Sequence, residues 1–415
     1  MQIQITAPQR LRGEIILPSS KSISNRALLI HALSHGQLMP QNISDCDDTF
    51  VMVRALNNPT DHIDIMAAGT AMRFLSAYLA VNEGTRTITG TERMKQRPIG
   101  ILVNALRTLG AHVEYVEKEG FPPLRITGGA HDGGKLTLPG NVSSQYISAL
   151  LMIGPTLKNG LTIELTGDII SRPYIDLTLQ LMQTFGAKVE WNSERQITVQ
   201  PGTYLDIPYY IESDWSAASY WYQMIALTND HDAEIILPGL FSESYQGDSA
   251  VRLLFEHLGV HTSFFQNAEG LECVRLTKQD CSCKRLEYDF INQPDLAQTF
   301  TVTCAMLNIP FHFTGLQSLK IKETDRIAAL INELRKLGYV IGEANNAELF
   351  WDGTRTTEMT NAAIDTYEDH RMAMAFAPCS LVRPDIRINN PQVVSKSYPH
   401  YWDNLKQIGF EINTL

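Results

Sequence analysis

One pattern of apolar and polar positions recurs along the chain. Each copy opens with small or polar residues and an apolar helix, followed by a short strand, a loop and an amphipathic helix that stops at Gly before a final strand. The second copy predicts a helix over 68–80, a strand over 86–90, a helix whose apolar face spans 101–109 and stops at Gly110, and a strand over 112–115. The pattern therefore predicts a repeated α/β unit.

Six copies of this unit are recognisable, although the first is blurred near Asn57 and Asn58. A copy takes about 40–45 residues from its opening to its closing Gly, and the clear copies recur about every 70–80 residues. Strands that alternate with helices indicate an α/β or α+β protein, and six units divide naturally as three plus three. We expect the chain to cross between the halves near 208–212. The copies open at Lys21, Ala68, Ser143, Asp214, Pro294 and Asp369.

Length, composition and charge narrow the class of protein. The chain has 415 residues, of which 44% are hydrophobic and 19% charged, and this predicts two or three globular domains. There is no apolar run that could span a bilayer, no secretory signal and no Cys pair with zinc-ligand spacing, so we expect a cytosolic protein with reduced thiols. The net charge of -11 argues against a nucleic-acid partner, but it allows small anions to bind where cations are concentrated.

The starts of the predicted helices combine capping residues with cations. Ser, Thr and Asp accept hydrogen bonds from the first free amides of a helix, and capping alone explains each of them. Lys or Arg at the same end is mildly unfavourable, because a helix N-terminus carries partial positive charge. A bound anion is attracted both to the helix N-terminus and to the Lys or Arg side chain, so these helix starts predict anion binding. The capping candidates are Ser22, Ser24, Thr70, Ser143, Ser144, Asp214, Ser216, Asp295 and Asp369, and the cations are Lys21, Arg26, Arg73, Arg326 and Arg371.

Short motifs at these helix starts resemble a known family. Their order and spacing over essentially the whole chain are similar to those of the 5-enolpyruvylshikimate-3-phosphate synthases, which belong to the enolpyruvyl transferases. The motifs that contain most of the candidate catalytic and binding residues lie at 21–26 (KSISNR), 68–73 (AGTAMR), 143–145 (SSQ), 322–326 (KETDR) and 369–374 (DHRMAM). Further matches are 96–98 (QRP), 171–174 (SRPY), 294–295 (PD) and 395–399 (SKSYP).

The resemblance implies a fold and a division into domains. It implies a two-domain inverted α/β barrel-like fold, in which each domain has three βαβαββ repeats. The N-terminal-type domain then covers 18–211 with repeats 1–3. The C-terminal-type domain covers 1–17 and 212–415 and combines the first strand with repeats 4–6. Members are usually monomers, so the resemblance also implies a monomer.

The resemblance further implies an activity and its substrates. The implied enzyme transfers the enolpyruvyl group of phosphoenolpyruvate to the 5-hydroxyl of shikimate 3-phosphate and releases phosphate. The implied pathway is the shikimate pathway, which leads to chorismate and the aromatic amino acids. No metal or organic cofactor is implied. Shikimate 3-phosphate is expected at Lys21, Ser22, Arg26, Ser143, Ser144, Gln145, Ser171, Tyr174, Asp295 and Lys322. Phosphoenolpyruvate is expected at Lys21, Gly69, Arg97, Gln145, Arg326, Arg371 and Lys396.

Three residues are expected to carry the proton transfers. Asp295 is the expected base at the hydroxyl, and Glu323 is the expected proton donor at the methylene, with Lys21 as the other candidate. A carboxyl that acts as an acid near neutral pH needs a raised pKa, whereas nearby cations act in the opposite direction. The residues by themselves leave plainer interpretations open. Asp295 could be a helix cap, and Glu323 and Arg326, three apart, could form an ion pair on a helix surface.

Other residues have structural interpretations or depart from the family pattern. His370 could support the fold or contact substrate, and Trp215 and Trp221 are expected to pack in a core. The family commonly has Asn and Pro where this chain has Ala67 and Phe74, and many relatives have Asn in place of Ser318. These departures bear on phosphoenolpyruvate affinity and on sensitivity to glyphosate.

Three rival functions remain for comparison. UDP-N-acetylglucosamine enolpyruvyl transferase shares the repeat architecture but lacks the combination of motifs at 21–26 and 322–326. An RNA-binding protein on a similar scaffold would be expected to carry a basic and aromatic surface, which the acidic composition disfavours. A catalytically inactive anion-binding relative would share the fold but not need the full set of catalytic residues.

Overall fold

The chain forms two compact units in the computed structural model, which describes residues 1–57, 60–384 and 386–415. Unit 1 comprises Met1–Pro18 and Glu212–Leu415, and unit 2 comprises Ser19–Ile211. Each unit has a hydrophobic core of its own. Asn58, where the first copy of the repeat is blurred, lies outside the described residues.

The strands are short and are distributed over both units. In chain order they are β1 (Gln2–Thr6), β2 (Arg12–Glu14), β3 (His62–Asp64), β4 (Gly84–Thr89), β5 (His112–Tyr115), β6 (Leu124–Gly128), β7 (Gly134–Pro139), β8 (Leu161–Thr166), β9 (Val189–Ser193), β10 (Gln196–Val199), β11 (Glu234–Pro238), β12 (Val260–Gln266), β13 (Glu272–Lys278), β14 (Leu286–Asp289), β15 (Phe311–Thr314), β16 (Gly342–Ala344), β17 (Glu348–Trp351), β18 (Ala363–Ile364), β19 (Ile386–Asn389) and β20 (Glu411–Thr414).

Helices alternate with these strands. In chain order they are α1 (Lys21–Ser34), α2 (Asp47–Asn57), α3 (Gly69–Val81), α4 (Glu92–Lys95), α5 (Gly100–Thr108), α6 (Ser144–Ile153), α7 (Arg172–Thr184), α8 (Trp215–Leu227), α9 (Val251–Glu256), α10 (Ala297–Met306), α11 (Arg326–Lys336), α12 (His370–Phe376) and α13 (Tyr401–Gln407). Short 3-10 helices occupy Gly154–Thr156, Gly247–Ala250, Pro294–Leu296, Gln317–Ile321, Ala377–Leu381 and Pro391–Lys396.

The same four-stranded sheet recurs through the described part of the chain. Unit 2 has the sheets β3-β4-β6-β5 and β7-β8-β10-β9, and unit 1 has β2-β11-β13-β12, β14-β15-β17-β16 and β18-β19-β1-β20. In each of them the first two strands are parallel and the remaining neighbours are antiparallel. The first copy departs from this pattern, because its described residues contribute only an isolated bridge between Gln41 and Tyr210.

The N-terminal strand completes a sheet of unit 1. Ile3 on β1 lies opposite Ile388 on β19 and Thr414 on β20, so β1 is the strand between β19 and β20. Alternate residues of β1 face inward, and Ile3 and Ile5 are buried while their neighbours are more exposed. This alternation is the expected pattern of a sheet that covers a core on one face.

Buried helices form the centre of each unit. In unit 2, α3 packs against α6 and α6 packs against α7, and in unit 1, α10 packs against both α8 and α12. All residues of α10 and α12 are buried, so neither helix presents a face to solvent. The expected core positions of Trp215 and Trp221 are confirmed, since both side chains are fully buried in α8.

The amphipathic helices have one buried face, as their sequence pattern predicts. The second copy gives α3, β4, α5 and β5 within about two residues of the predicted bounds. Leu102 and Leu106 on α5 are buried, whereas Ile101 is half-buried and Val103 takes part in the core instead. Within the described part of the chain, we find no helix of the length and apolarity needed to cross a membrane.

Candidate active site

Three helix starts in unit 2 carry the polar residues expected to bind anions. The capping serine of α1 is Ser20, whose hydroxyl accepts a hydrogen bond from the Ile23 amide, so Ser22 and Ser24 do not cap this helix. Ser143 caps α6 as expected, with its hydroxyl accepting from the Gln145 amide, whereas α3 begins without a side-chain cap. The Ser22 hydroxyl is therefore not committed to capping α1.

Arg26 is a buried cation whose hydrogen bonds go to neutral oxygen atoms. Its guanidinium donates to the Thr178 hydroxyl at 2.7 Å, the Ser148 hydroxyl at 3.2 Å and the carbonyls of Ser22 and Tyr174 at 2.9 and 3.3 Å. Burial lowers the pKa of Arg26 to about 10, so the group still carries its proton at neutral pH. A desolvated guanidinium held by neutral groups can attract a phosphate.

The glycine at the start of α3 makes room for two guanidinium groups. A Cβ on Gly69 would lie 2.6 Å from Nη1 of Arg97 and 3.2 Å from Nη1 of Arg73. Arg73 also donates to the Gly69 carbonyl at 3.0 Å and to the Pro98 carbonyl at 3.4 Å. The missing side chain of Gly69 therefore lets two cations lie close to the start of α3.

Three further predicted residues of unit 2, Lys21, Ser144 and Gln145, lie in the first turns of α1 and α6. Gln145 donates through Nε2 to the Thr70 hydroxyl at 3.0 Å and so joins the starts of α6 and α3. Lys21 pairs with Asp48 at 3.3 Å, a partner that the motifs did not indicate. Ser144 is buried at the start of α6.

Ser171 and Tyr174 lie at the start of α7. Ser171 adopts a left-handed φ of 53° immediately before the helix, and its side chain makes no capping bond. Tyr174 is bound to Arg26 through its carbonyl oxygen, and the same oxygen accepts from the Thr178 hydroxyl at 2.8 Å. Arg26 thus connects α1, α6 and α7 through its bonds to Ser22, Ser148, Tyr174 and Thr178.

In unit 1 a second cluster is centred on Arg326, at the start of α11. Arg326 is almost fully buried and contacts three carboxylates: Asp369 at 2.6 Å, Glu323 at 2.9 Å and Asp295 at 3.0 Å. Burial by itself lowers the pKa of Arg326, but these three carboxylates outweigh it and raise the pKa above its usual value. The interpretation of Glu323 and Arg326 as a pair on a helix surface is therefore wrong, since Arg326 is inside the unit.

Asp295 is held by three cations. Arg326 contacts its Oδ1 at 3.0 Å, Arg371 contacts its Oδ2 at 3.0 Å, and Nζ of Lys322 lies 3.5 Å from Oδ1. Burial alone would raise the pKa of Asp295, but Arg371, Lys322 and Arg326 hold the pKa well below its usual range. The Asp295 carboxylate is therefore directed to cations on three sides.

Glu323 lies between two cations. Its Oε2 contacts Arg326 at 2.9 Å and its Oε1 contacts Lys396 at 3.0 Å. Asp369 caps α12 by accepting from the Arg371 amide at 2.9 Å while it pairs with Arg326. His370 is buried, and its Nδ1 lies 3.8 Å from Asp369. The sequence-predicted residues of unit 1 thus form one cluster of four cations and three carboxylates.

One buried carboxyl near this cluster was not anticipated. Asp248, in the 3-10 helix after β11, accepts a short hydrogen bond from the Ser216 hydroxyl at the start of α8. Burial, and secondly the charge of Asp295, raise the pKa of Asp248 to about 7. Asp248 lies in no recognised motif, and only its acidic type in a short loop could have drawn attention to it. Within the described part of the chain, no group of His, Cys, Asp and Glu has the arrangement of a metal site.

Comparison with known proteins identifies the family. The sequence model described as EPSP synthase (3-phosphoshikimate 1-carboxyvinyltransferase) matches residues 5–58 and 56–405. The chain belongs to the EPSP synthase family. A protein named 3-phosphoshikimate 1-carboxyvinyltransferase from Bacteroides fragilis (strain ATCC 25285) is 60% identical over 412 residues, which cover 99% of both chains. The protein of that name from Vibrio atlanticus is 36% identical, over 96% of this chain and 97% of its own.

Solved structures confirm the fold of this EPSP synthase family member. The EPSP synthase of Acinetobacter baumannii matches with a TM-score of 0.80 at 20% identity, over the whole of both chains. The enolpyruvyl transferase NikO of Streptomyces tendae matches with a TM-score of 0.73 at 13% identity, over 99% of this chain and 98% of its own. The predicted two-domain inverted α/β fold is thereby confirmed, and the family model and the full-length relatives confirm the predicted family.

Proposed function

We propose that this EPSP synthase family member transfers the enolpyruvyl group of phosphoenolpyruvate to the 5-hydroxyl of shikimate 3-phosphate and releases phosphate. The observation that carries the proposal is the cluster in unit 1, where Arg326, Arg371 and Lys322 surround the Asp295 carboxylate. The names of full-length relatives at 60% and 36% identity support the same activity. Both substrates are anions, and concentrated cations in an acidic protein can attract them.

Shikimate 3-phosphate is assigned mainly to unit 2. Its phosphate fits the desolvated Arg26 guanidinium together with hydroxyl groups at the starts of α1, α6 and α7, because phosphate oxygens accept hydrogen bonds from all of them. The proposed contacts are Lys21, Ser22, Arg26, Ser143, Ser144, Gln145, Ser171 and Tyr174, with Asp295 and Lys322 from unit 1.

Phosphoenolpyruvate is assigned to arginines and lysines at helix starts. The guanidinium group presents two parallel N–H donors, which match a carboxylate or a phosphate. Arg326 already holds the Asp369 carboxylate in this geometry, and Arg371 contacts one carboxylate oxygen of Asp295. Arg97 lies against the start of α3. The proposed contacts are Lys21, Gly69, Arg97 and Gln145 in unit 2 and Arg326, Arg371 and Lys396 in unit 1.

The reaction proceeds by addition and then elimination. The 5-hydroxyl oxygen bonds to the central carbon of phosphoenolpyruvate, its proton passes to Asp295, and the methylene carbon takes a proton. The resulting tetrahedral intermediate then loses a methyl proton and the bond from the central carbon to the phosphate oxygen breaks. Phosphoenolpyruvate is itself the activated group, so we propose no metal or organic cofactor.

Glu323 and Lys21 are the proposed proton donors at the methylene carbon. Glu323 contacts Arg326 and Lys396, and Lys21 contacts Asp48. A carboxyl group and an ammonium group can each donate a proton as a general acid, so both residues are proposed for this step.

The remaining assignments follow from the family. We propose that the two compact units correspond to the predicted domains, that the protein is a cytoplasmic monomer, and that it acts in the shikimate pathway. No nucleic acid or membrane partner is proposed. The departures at Ala67, Phe74 and Ser318 from the common family pattern bear on glyphosate sensitivity and on phosphoenolpyruvate affinity.

Phosphate release tests the proposed activity directly. Purified protein is given phosphoenolpyruvate with and without shikimate 3-phosphate, beside the variants Asp295→Asn and, as a control, Asp403→Asn, an exposed carboxylate on α13. We expect release that requires shikimate 3-phosphate, falls about 10²–10⁴-fold in Asp295→Asn and is unchanged in the control. Folded protein that releases no phosphate would instead support an inactive anion-binding relative.

Release that required UDP-N-acetylglucosamine in place of shikimate 3-phosphate would assign the chain to the rival enolpyruvyl transferase. Thermal unfolding of each variant shows whether a loss of release reflects chemistry or a loss of folded protein. Equal losses in Asp295→Asn and Asp403→Asn would remove the case for Asp295 as the base.

A further inference from the structure

A turn in unit 1 with an unusual backbone ends at Asp369, which binds the Arg326 side chain and the Arg371 amide. The amide of Asp369 donates to the Thr366 carbonyl at 2.8 Å, which closes a turn over Tyr367 and Glu368. Both central residues have left-handed φ angles, 52° for Tyr367 and 56° for Glu368. Two consecutive left-handed residues are the pattern of a type I′ turn, which favours Asn and Gly.

The residue types at this turn do not suit its backbone. Among the described residues, the other consecutive non-glycine pair with left-handed φ is Asn345 and Asn346 in the loop between β16 and β17, and Asn tolerates this conformation. Tyr and Glu have no side-chain feature that favours it. Other contacts must therefore offset the cost of holding Tyr367 and Glu368 in the turn.

The Tyr367 hydroxyl provides such a contact. It donates to Oε1 of Glu333 at 2.7 Å, and Glu333 is fully buried on α11. The other oxygen of Glu333 accepts from the Asp365 amide at 3.0 Å and pairs with Lys336 at 2.7 Å. A carboxylate with these partners is fixed in position, so its bond to Tyr367 fixes the turn to α11.

The turn leads directly into the proposed phosphoenolpyruvate residues. Asp369 is the last residue of the turn, is fully buried, and binds Arg326 with one carboxylate oxygen at 2.6 Å while it accepts from the Arg371 amide. Any shift of the turn therefore moves Asp369 and, through it, both arginines. The same helix α11 begins at Arg326 and carries Glu333, so both ends of the connection are in one rigid element.

We propose that Tyr367 and Glu333 are positioning residues, whose hydrogen bond holds the turn over 366–369 so that Asp369 sets Arg326 and Arg371 for phosphoenolpyruvate. This inference rests on the proposed function for its kinetic readout. It has a second readout that does not need activity, namely hydrogen exchange at the Asp369 amide.

The test removes the Tyr367 hydroxyl and then, in the same variant, lowers the conformational cost of the positive φ at position 368. Tyr367→Phe removes the bond to Glu333 and keeps the ring. In that background, Glu368→Gly lets the exposed position adopt a positive φ freely, whereas Glu368→Ala removes the same carboxylate without this freedom. Tyr222→Phe is the matched control, because its buried hydroxyl bonds to Thr262 on β12 at 3.0 Å in the same unit.

We expect Tyr367→Phe to raise the KM for phosphoenolpyruvate about ten-fold, the effect of one lost hydrogen bond, with the KM for shikimate 3-phosphate changed by less than about two-fold. Glu368→Gly, and not Glu368→Ala, restores the KM. In hydrogen-exchange mass spectrometry, the peptide covering 366–376 exchanges faster in Tyr367→Phe and returns toward the original rate with Glu368→Gly. Tyr222→Phe lowers thermal stability without moving either readout.

Three results would overturn the proposal. One is an unchanged KM and unchanged exchange in Tyr367→Phe, and another is equal rescue by Gly and Ala at position 368. The third is a similar change of KM in Tyr222→Phe, which would show a general loss of stability. If the unsubstituted protein releases no phosphate, the proposed function fails, and the exchange measurement still decides whether the bond holds the turn.

Discussion

The substitution Gly69→Ala tests how closely the cations approach the start of α3. A Cβ at this position would lie 2.6 Å from Nη1 of Arg97 and 3.2 Å from Nη1 of Arg73. The nearest atom is the far end of a flexible side chain, so the guanidinium of Arg97 moves and the backbone does not. Arg97 then loses its proposed contact with phosphoenolpyruvate.

The size of the effect follows from the kind of contact that is lost. One charge-assisted hydrogen bond contributes about 1.5–3 kcal/mol, which corresponds to about ten- to one-hundred-fold in affinity. We therefore expect the KM for phosphoenolpyruvate to rise by this factor in Gly69→Ala, while the KM for shikimate 3-phosphate stays within about two-fold. Stability is not expected to fall, because Ala is favoured over Gly in a helix by about 0.5–1 kcal/mol.

Initial rates of phosphate release at varied concentrations of each substrate give both KM values, and thermal unfolding gives the stability. Gly100→Ala is the matched control at the start of α5, since a Cβ there would meet only ordinary contacts, 3.5 Å from the Tyr115 hydroxyl and 3.6 Å from Gly120. An unchanged KM for phosphoenolpyruvate in Gly69→Ala would refute the assignment of Arg97. An equal rise in both KM values would show that the helix, and not the arginine, had moved.

Further predictions concern three charged groups. Arg26→Lys is expected to weaken shikimate 3-phosphate binding about ten-fold in calorimetry, because one ammonium cannot replace the bonds of a planar guanidinium; unchanged affinity would contradict its phosphate role. The pKa of Asp248 is raised to about 7, so the folded state binds this proton more tightly than the unfolded state. The free energy of unfolding therefore falls as the pH rises from about 4 to about 7. In Asp248→Asn, the free energy of unfolding measured with urea should differ less between pH 5 and pH 8 than it does in the unsubstituted protein. An equal difference in the two proteins would contradict this prediction. Glu323→Gln is expected to lower turnover about 10²-fold or more in the phosphate-release assay. Glu343→Gln on β16, outside the cluster, is the control and is expected to leave turnover unchanged.

Much of the fold was predictable from local pattern. The helix over 68–80 and the strand over 112–115 follow from apolar spacing and a stopping Gly, which are local properties of the chain. The same holds for Trp215 and Trp221, which are buried in a helix rich in apolar and aromatic residues. The sheet that joins β1 to β19 and β20 was not a local property, and its place came from the family resemblance.

The candidate site was predictable as a set of residues but not as a set of contacts. The motifs named Asp295 and Arg326, yet they also allowed a capping role for the first and a surface ion pair for the second. Burial of Arg326 among three carboxylates excludes the surface ion pair. The contacts of Asp295 with Arg326, Arg371 and Lys322 are partners that a capping role does not require. Asp48, the partner of Lys21, went unnoticed because no motif includes it.

The sequence by itself determined the repeated α/β unit, the family and the residue types at the helix starts, because spacing and short motifs are properties of neighbouring positions. Only the tertiary structure decided which charges meet, how deeply they are buried and therefore which way their pKa values move. Arg326 and Asp295 are 31 residues apart and Asp295 and Arg371 are 76 apart, so their contacts exist only after the helices pack. Long-range electrostatics and burial depend on that packing, and no local pattern encodes them.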